Sequence, residues 1–111
     1  MTQEQRFCTS AAARVAEVPK STLRSWRKFN GLFARPGQWH RYSFAELCVI
    51  RAVGVMTRAG IRADVAAGMA AGLVKEFDSG RSGFVTMREV DHGVAFRFDL
   101  DAIRKSVEAL L

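Results

Sequence analysis

The chain has 111 residues, with 17 Lys and Arg against 11 Asp and Glu, a formal net charge of +6, and apolar residues at 49% of its positions. That is the size and composition of one globular domain, and it excludes a natively disordered chain. The longest apolar run, ten residues from Val65 to Val74, is well short of the roughly 20 that a membrane-spanning helix needs.

The charge is unevenly placed. Residues 1–62 carry eleven Lys and Arg against three acids (Glu4, Glu17, Glu46), a net of +8; residues 63–111 carry six against eight, a net of −2. A basic half joined to a weakly acidic one implies that the first half meets a polyanion. The opening residues, MTQEQRFCTS, contain no apolar core of a signal peptide. Cys8 and Cys48 form no CxxC pair and are expected to be buried or inert thiols in a reducing compartment. A soluble, cytoplasmic, nucleoid-associated protein is expected.

In chain order, a first short helix is expected from Ser10 to about Glu17, with Ala12, Ala13, Val15 and Ala16 as a small-residue packing face. Pro19 disfavours helix in the residue before it and suits the first turn of the next, so a second helix is expected from Pro19 to Phe29 after a very short connection. Two helices joined so tightly are the signature of a helix-turn-helix. At 100° per residue with Lys20 at zero, Pro19, Thr22, Leu23, Trp26 and Phe29 fall between about 180° and 300°, while Lys20, Ser21, Arg24, Ser25, Arg27 and Lys28 fall between about −20° and 140°. One face is therefore apolar apart from Thr22, and the other holds four cations and two serines. Asn30-Gly31 supplies the stop.

Pro36-Gly37, flanked by apolar, aromatic and basic residues, predicts a short hairpin or wing from about Leu32 to Tyr42. Ser43 and Glu46 form a capping-box pattern that opens a third helix, Phe44 to about Ala59. Its few polar residues, Glu46, Arg51, Thr57 and Arg58, imply burial on most sides or contact with a second subunit. A fourth helix is expected from Ala63 to Phe77, rich in Ala with Gly68 and Gly72. Alternating residues around Asp91-His92-Gly93 predict a β-hairpin from Phe84 to Val90 and Val94 to Phe98, and Leu100, Ile103, Val107 and Leu110 line one face of a last helix from Asp99 to Leu110. An isolated hairpin is marginally stable, so this tail is expected to pack on the third and fourth helices or on another copy of the chain.

The fold class expected is mainly α with a minor β part, divided as residues 1–77 and an 84–111 element that either dimerises or closes the core. No nucleophile-base pair, phosphate loop or carboxylate constellation stands out, so no enzymatic activity is expected. Cys8, His40, Cys48 and His92 are scattered in sequence, so neither metal nor cofactor is expected.

The segment AAARVAEVPKSTLRSWRKFNGLFARPGQWHRYSFAEL resembles the DNA-binding domain of MerR-type winged helix-turn-helix regulators over about residues 9–62. Val18-Pro19-Lys20-Ser21-Thr22-Leu23-Arg24-Ser25-Trp26, then Gly31-Leu32, Arg41-Tyr42-Ser43 and Arg58-Ala59-Gly60-Ile61 carry it in order. The resemblance implies that the second helix enters the major groove, that the wing touches the adjacent backbone, and that two copies bind a palindromic site. The chain departs from the family in placing Glu17 at the usual turn glycine, Pro19 at a common capping serine, and His40 where the wing often carries arginine. It also lacks a long coiled-coil helix after residue 62.

The candidate DNA-contacting residues are thus Lys20, Ser21, Thr22, Arg24, Ser25, Arg27 and Lys28 from the helix, and Arg35, Gln38, Trp39, His40, Arg41 and Tyr42 from the wing. Arg24 or Ser21 is expected to read bases, since arginine pairs in two places with guanine in the major groove, and Arg35 and Arg41 are expected to meet phosphates. Trp39 either lies along a sugar or packs under the wing; Tyr42 packs, with its hydroxyl available to a phosphate. Leu23, Trp26 and Phe29 are expected in the core, and Arg51, Arg58 and Arg62 on a plain solvated face. The expected function is a sequence-specific transcriptional regulator reading the major groove with 19–29 and the backbone with 33–42. The alternative is an architectural or recruitment factor of phage-related origin, excisionase-like or DNA-packaging. Double-stranded DNA and a second copy of the chain are the expected partners, with no membrane and no small-molecule effector.

Overall fold

A computed structural model describes residues 6–34, 41–89 and 93–111. The chain is mainly helical, with one two-stranded antiparallel sheet. Its elements are α1 (Thr9–Ala16), α2 (Lys20–Asn30), α3 (Phe44–Arg58), α4 (Ala63–Ala70), a 3₁₀ turn (Ala71–Leu73), α5 (Val74–Asp78), β1 (Phe84–Glu89), β2 (Val94–Asp99) and α6 (Leu100–Leu110).

The most apolar helix occupies the centre. The Ser43 Oγ accepts from the Glu46 N–H at 3.1 Å and the Ser43 N–H donates to the Glu46 carboxylate at 2.8 Å, which is the reciprocal cap expected from the sequence. From there α3 buries Leu47, Cys48, Val49, Ile50 and Val53 completely, and α1, α4, α5 and α6 pack around it.

α1 contributes Ala12, Ala13, Val15 and Ala16, small enough for its backbone to lie against α3. It stops at Glu17, whose backbone adopts the left-handed conformation at φ 57° and ψ 44°. Pro19 is extended, and its carbonyl starts α2 by accepting from Thr22 at 3.0 Å and Leu23 at 3.3 Å. At the far end Gly31 is left-handed, φ 66°, and the Leu32 N–H returns to the Trp26 carbonyl at 3.2 Å, a closure of the last turn that the glycine permits.

Most of the expected wing, residues 35–40, lies outside the described residues, as do Val90, Asp91 and His92 of the expected hairpin turn. Beside the former, Tyr42 pairs with Phe7 as an antiparallel bridge, with both N–H···O distances at 2.8 Å.

The expected continuous helix Ala63–Phe77 is instead two helices joined by the 3₁₀ turn. Gly72 lies in that turn, and a Cβ there would stand 3.0 Å from the Met87 side chain of β1. The strand thus approaches the helix at a glycine, and the ladder tightens where it does.

In the hairpin Val85 pairs with Phe98 and Met87 with Phe96, so these four share the face turned to the helices. The other face holds Phe84 under the Arg97 guanidinium, 3.9 Å from the ring centroid. Val85, Phe98, Leu100 and Val107 belong to the same buried cluster as the core of α1–α4. The apolar surplus that motivated a homodimer is therefore largely taken up within one chain. Among the described residues no helix is long and apolar enough to cross a membrane.

Candidate nucleic-acid interface

α2 carries four cations and no acid. Leu23 and Trp26 are buried, while Lys20, Ser21, Arg24, Ser25 and Lys28 are exposed. Leu23 and Trp26 define an inward direction near 270° on the helical projection. In the middle of the helix the residues opposite that axis are exposed, while Pro19 and Asn30, near the axis but at the two ends, are exposed and half-buried.

The border positions correct the sequence expectation. Phe29, expected in the core, is 73% exposed, because it falls about 90° from the inward direction at the last turn of the helix. The Lys28 ammonium lies 5.3 Å from its ring. Thr22 and Arg27, each about 70° off the axis, are half-buried. Arg27 Nη1 donates to the Tyr42 hydroxyl at 2.5 Å, and Tyr42 is fully buried. The hydroxyl expected to be available to a phosphate is thus used inside the protein, where it ties α2 to the segment leading into α3. Ser25 Oγ donates to the Ser21 carbonyl one turn back, at 3.1 Å.

Arg41 is exposed beside Tyr42. Arg35, Gln38, Trp39 and His40 lie outside the described residues.

Elsewhere many cations are balanced locally. Arg62 pairs with Asp64 at 2.8 Å, Arg81 with Glu76 at 2.9 Å, and Arg104 with Asp101 at 3.4 Å. Lys20, Arg24 and Lys28 have no carboxylate partner among the described residues. The potential over this face is therefore set by uncompensated positive charge.

Arg51 and Arg58, expected on a plain solvated face, hold the turn ahead of α2. Arg51 Nη1 donates to the Val15 carbonyl at 3.2 Å and to the Glu17 carboxylate at 2.5 Å. Arg58 Nη1 donates to the Ala16 carbonyl at 2.7 Å, and its Nη2 stands 3.6 Å from the same carboxylate. They satisfy carbonyls that the end of α1 leaves without helical partners. The Arg51 hydrogen bond, and then its charge, hold the Glu17 carboxyl below its ordinary pKa. The available signal was two arginines seven apart on an otherwise apolar helix, which places both on one stripe. Arg62 does remain exposed.

The cysteines differ. Cys48 is buried, and desolvation pushes its thiol up to about 12. Cys8 is exposed at the start of α1. Its thiol makes no capping hydrogen bond of standard geometry, yet the nearby Ala11 N–H lowers its pKa, against a smaller opposing effect of burial. Among the described residues no three His, Cys, Asp or Glu are grouped to hold a metal ion.

No protein-family model matches the chain, and no curated protein matches it significantly.

Proposed function

We propose that the chain is a sequence-specific DNA-binding regulator, built as a MerR-like winged helix-turn-helix, that presents α2 to the major groove of double-stranded DNA. The observation that carries this reading is the outer face of α2, where Lys20, Arg24 and Lys28 stand exposed with no carboxylate partner among the described residues. Eleven helical residues span about 16 Å, and a groove about 12 Å wide admits such a helix. Arg24, at the middle of that face, reads a base edge; Lys20 and Lys28, one turn to either side, neutralise phosphates. Arg41 adds a backbone contact. Arg27 and Tyr42 contribute by holding α2 in place.

The test is fluorescence anisotropy with a duplex chosen by genome-wide mapping of bound DNA and with a random duplex, across a salt series. Affinity is expected to fall steeply with salt, as counterions are released from the phosphates. Arg24→Ala should cost about tenfold or more on the selected duplex and much less on the random one, and Arg41→Ala should weaken both alike. Equal losses for Arg24→Ala on the two duplexes would sink the base-reading role, and no binding at low salt would sink the whole reading.

A further inference from the structure

The most exposed large apolar side chain among the described residues stands on α2 itself. Phe29 is 73% exposed, against 50% for Phe84, 46% for Val55 and 42% for Leu111. Ser21, Ser25 and Phe29 follow one another at four-residue spacing and form a row along the helix surface. This row carries no charge, and the Ser25 hydroxyl donates back to the Ser21 carbonyl at 3.1 Å. Beside it runs a second row at the same spacing, Lys20, Arg24 and Lys28. The Lys28 ammonium lies 5.3 Å from the centroid of the Phe29 ring. A bare phenyl ring thus borders a line of three cations. A single exposed apolar side chain is ordinary on a protein surface. Phe29 differs in standing at the edge of the face whose charge suits a polyanion. A phenyl ring neither donates nor accepts a conventional hydrogen bond. In the major groove the base edges present donors and acceptors, and only thymine adds an apolar group, its C5-methyl.

We propose that Phe29 determines specificity by packing its ring on the C5-methyl of a thymine in the major groove. This rests on the proposed reading of α2 as the helix that enters the groove. Arg24 and Phe29 are five residues apart, a rise of about 7.5 Å along the helix, so the thymine lies about two base pairs from the base that Arg24 reads. Lys28, beside the ring, meets the phosphate next to it. A second copy of the chain is a poor occupant, because a two-fold contact centred on Phe29 would set Lys28 and its neighbouring cations against their own equivalents. The sequence expectation placed Phe29 in the core because its angle of about 180° lies on the border of the apolar sector; the same angle is the edge of the outer face.

The test is fluorescence anisotropy of the full chain on the duplex selected by genome-wide mapping, with each thymine replaced in turn by deoxyuridine. Deoxyuridine still pairs with adenine and lacks only the methyl. One replacement should weaken binding by the parent about fourfold, the size of one buried methyl group. Phe29→Ala should lose at least as much on the unmodified duplex and become indifferent to that replacement, a coupling read as a double-mutant cycle. Phe29→Leu, which keeps an apolar side chain, should remain sensitive to it. Thermal unfolding of Phe29→Ala should match that of the parent, since the ring is exposed. A clear fall in Tm would show that the ring packs within the chain and would overturn the proposal. No sensitive thymine, or a sensitivity that persists unchanged in Phe29→Ala, also overturns it. Tighter binding to either separated strand than to the duplex would make the ring a stacking platform and overturn the methyl contact. In each of these cases salt-dependent binding with a selective loss for Arg24→Ala leaves the DNA reading standing. No binding to the duplex at low salt refutes the DNA reading itself, and the methyl contact with it.

Discussion

Gly54 lies so close to Ala16 that a Cβ placed on it would stand 2.5 Å from the Ala16 carbonyl oxygen and 3.1 Å from the Ala16 Cα. The same carbonyl accepts from Arg58, one turn further along α3. The end of α1, and with it the start of α2, is therefore seated directly on the backbone of α3. Gly54→Ala gains up to about 1 kcal/mol in helix propensity, yet forces α1 off this seat at a cost of about 1–3 kcal/mol. Urea unfolding should show a lower midpoint with an unchanged slope. An increase in stability would mean that the two backbones are not held this closely.

Glu17 separates backbone cost from charge. Glu17→Gly and Glu17→Ala both lose the carboxylate, but glycine adopts the left-handed conformation freely and alanine does not. Their difference isolates the backbone preference, and the glycine variant should be the more stable by about 1 kcal/mol in urea unfolding. Equal stability of the two would show that the left-handed turn is not populated.

The same carboxyl makes stability depend on pH. Its folded pKa lies below its ordinary value of 4.5, first through the Arg51 hydrogen bond and then through the Arg51 charge. Its contribution is thus fully present above the ordinary value and is lost as pH falls through the folded pKa. Glu17→Gln should flatten the acid limb of the Tm-against-pH profile in that window and leave the profile above about pH 6 parallel to that of the parent. An unchanged acid limb would rule out the ion pair.

Tyr42 offers a contrast with the exposed cations. Tyr42→Phe removes the acceptor of the Arg27 guanidinium, and the cost should be about 1–2 kcal/mol, read from chemical unfolding. Under conditions where the variant stays folded, DNA affinity should remain within about twofold of the parent, because the hydroxyl is enclosed. A tenfold loss of affinity without loss of stability would instead make it a phosphate contact.

What the sequence disclosed, and what it hid, divide along the range of the interactions. The Ser43–Glu46 cap, the Gly31 stop and the two faces of α2 depend on residues within a few positions of one another, and all were legible. Phe29 was misplaced because the apolar sector was drawn too wide; only contact with the rest of the core shows that the inward direction follows Leu23 and Trp26. The break in the fourth expected helix falls at Gly72, beside Met87 of β1, fifteen residues further along the chain, a neighbour that local periodicity does not reveal. Arg51 and Arg58 reach backbone carbonyls of α1, and a carbonyl has no residue type to betray it. The exposed cations of the candidate interface could be read from the chain, whereas the scaffold that aims them could not.

The two thiols should titrate as different chemical species. Cys8 is exposed, and the Ala11 N–H favours its thiolate; Cys48 is enclosed, with its thiol pushed up to about 12. Thiolate is the reacting form, so at pH 8 the native protein should consume one equivalent of a thiol-specific disulfide reagent quickly and the second at least about a thousandfold more slowly. Denaturant should make both react at once. Cys8→Ser should abolish the fast phase, and Cys48→Ser should leave it intact. The fast rate should rise with pH to a midpoint below that of an ordinary cysteine, since Cys8 is shifted downward. Two fast equivalents in the native state would show that α3 does not enclose Cys48, and with it that the central helix is not seated as described.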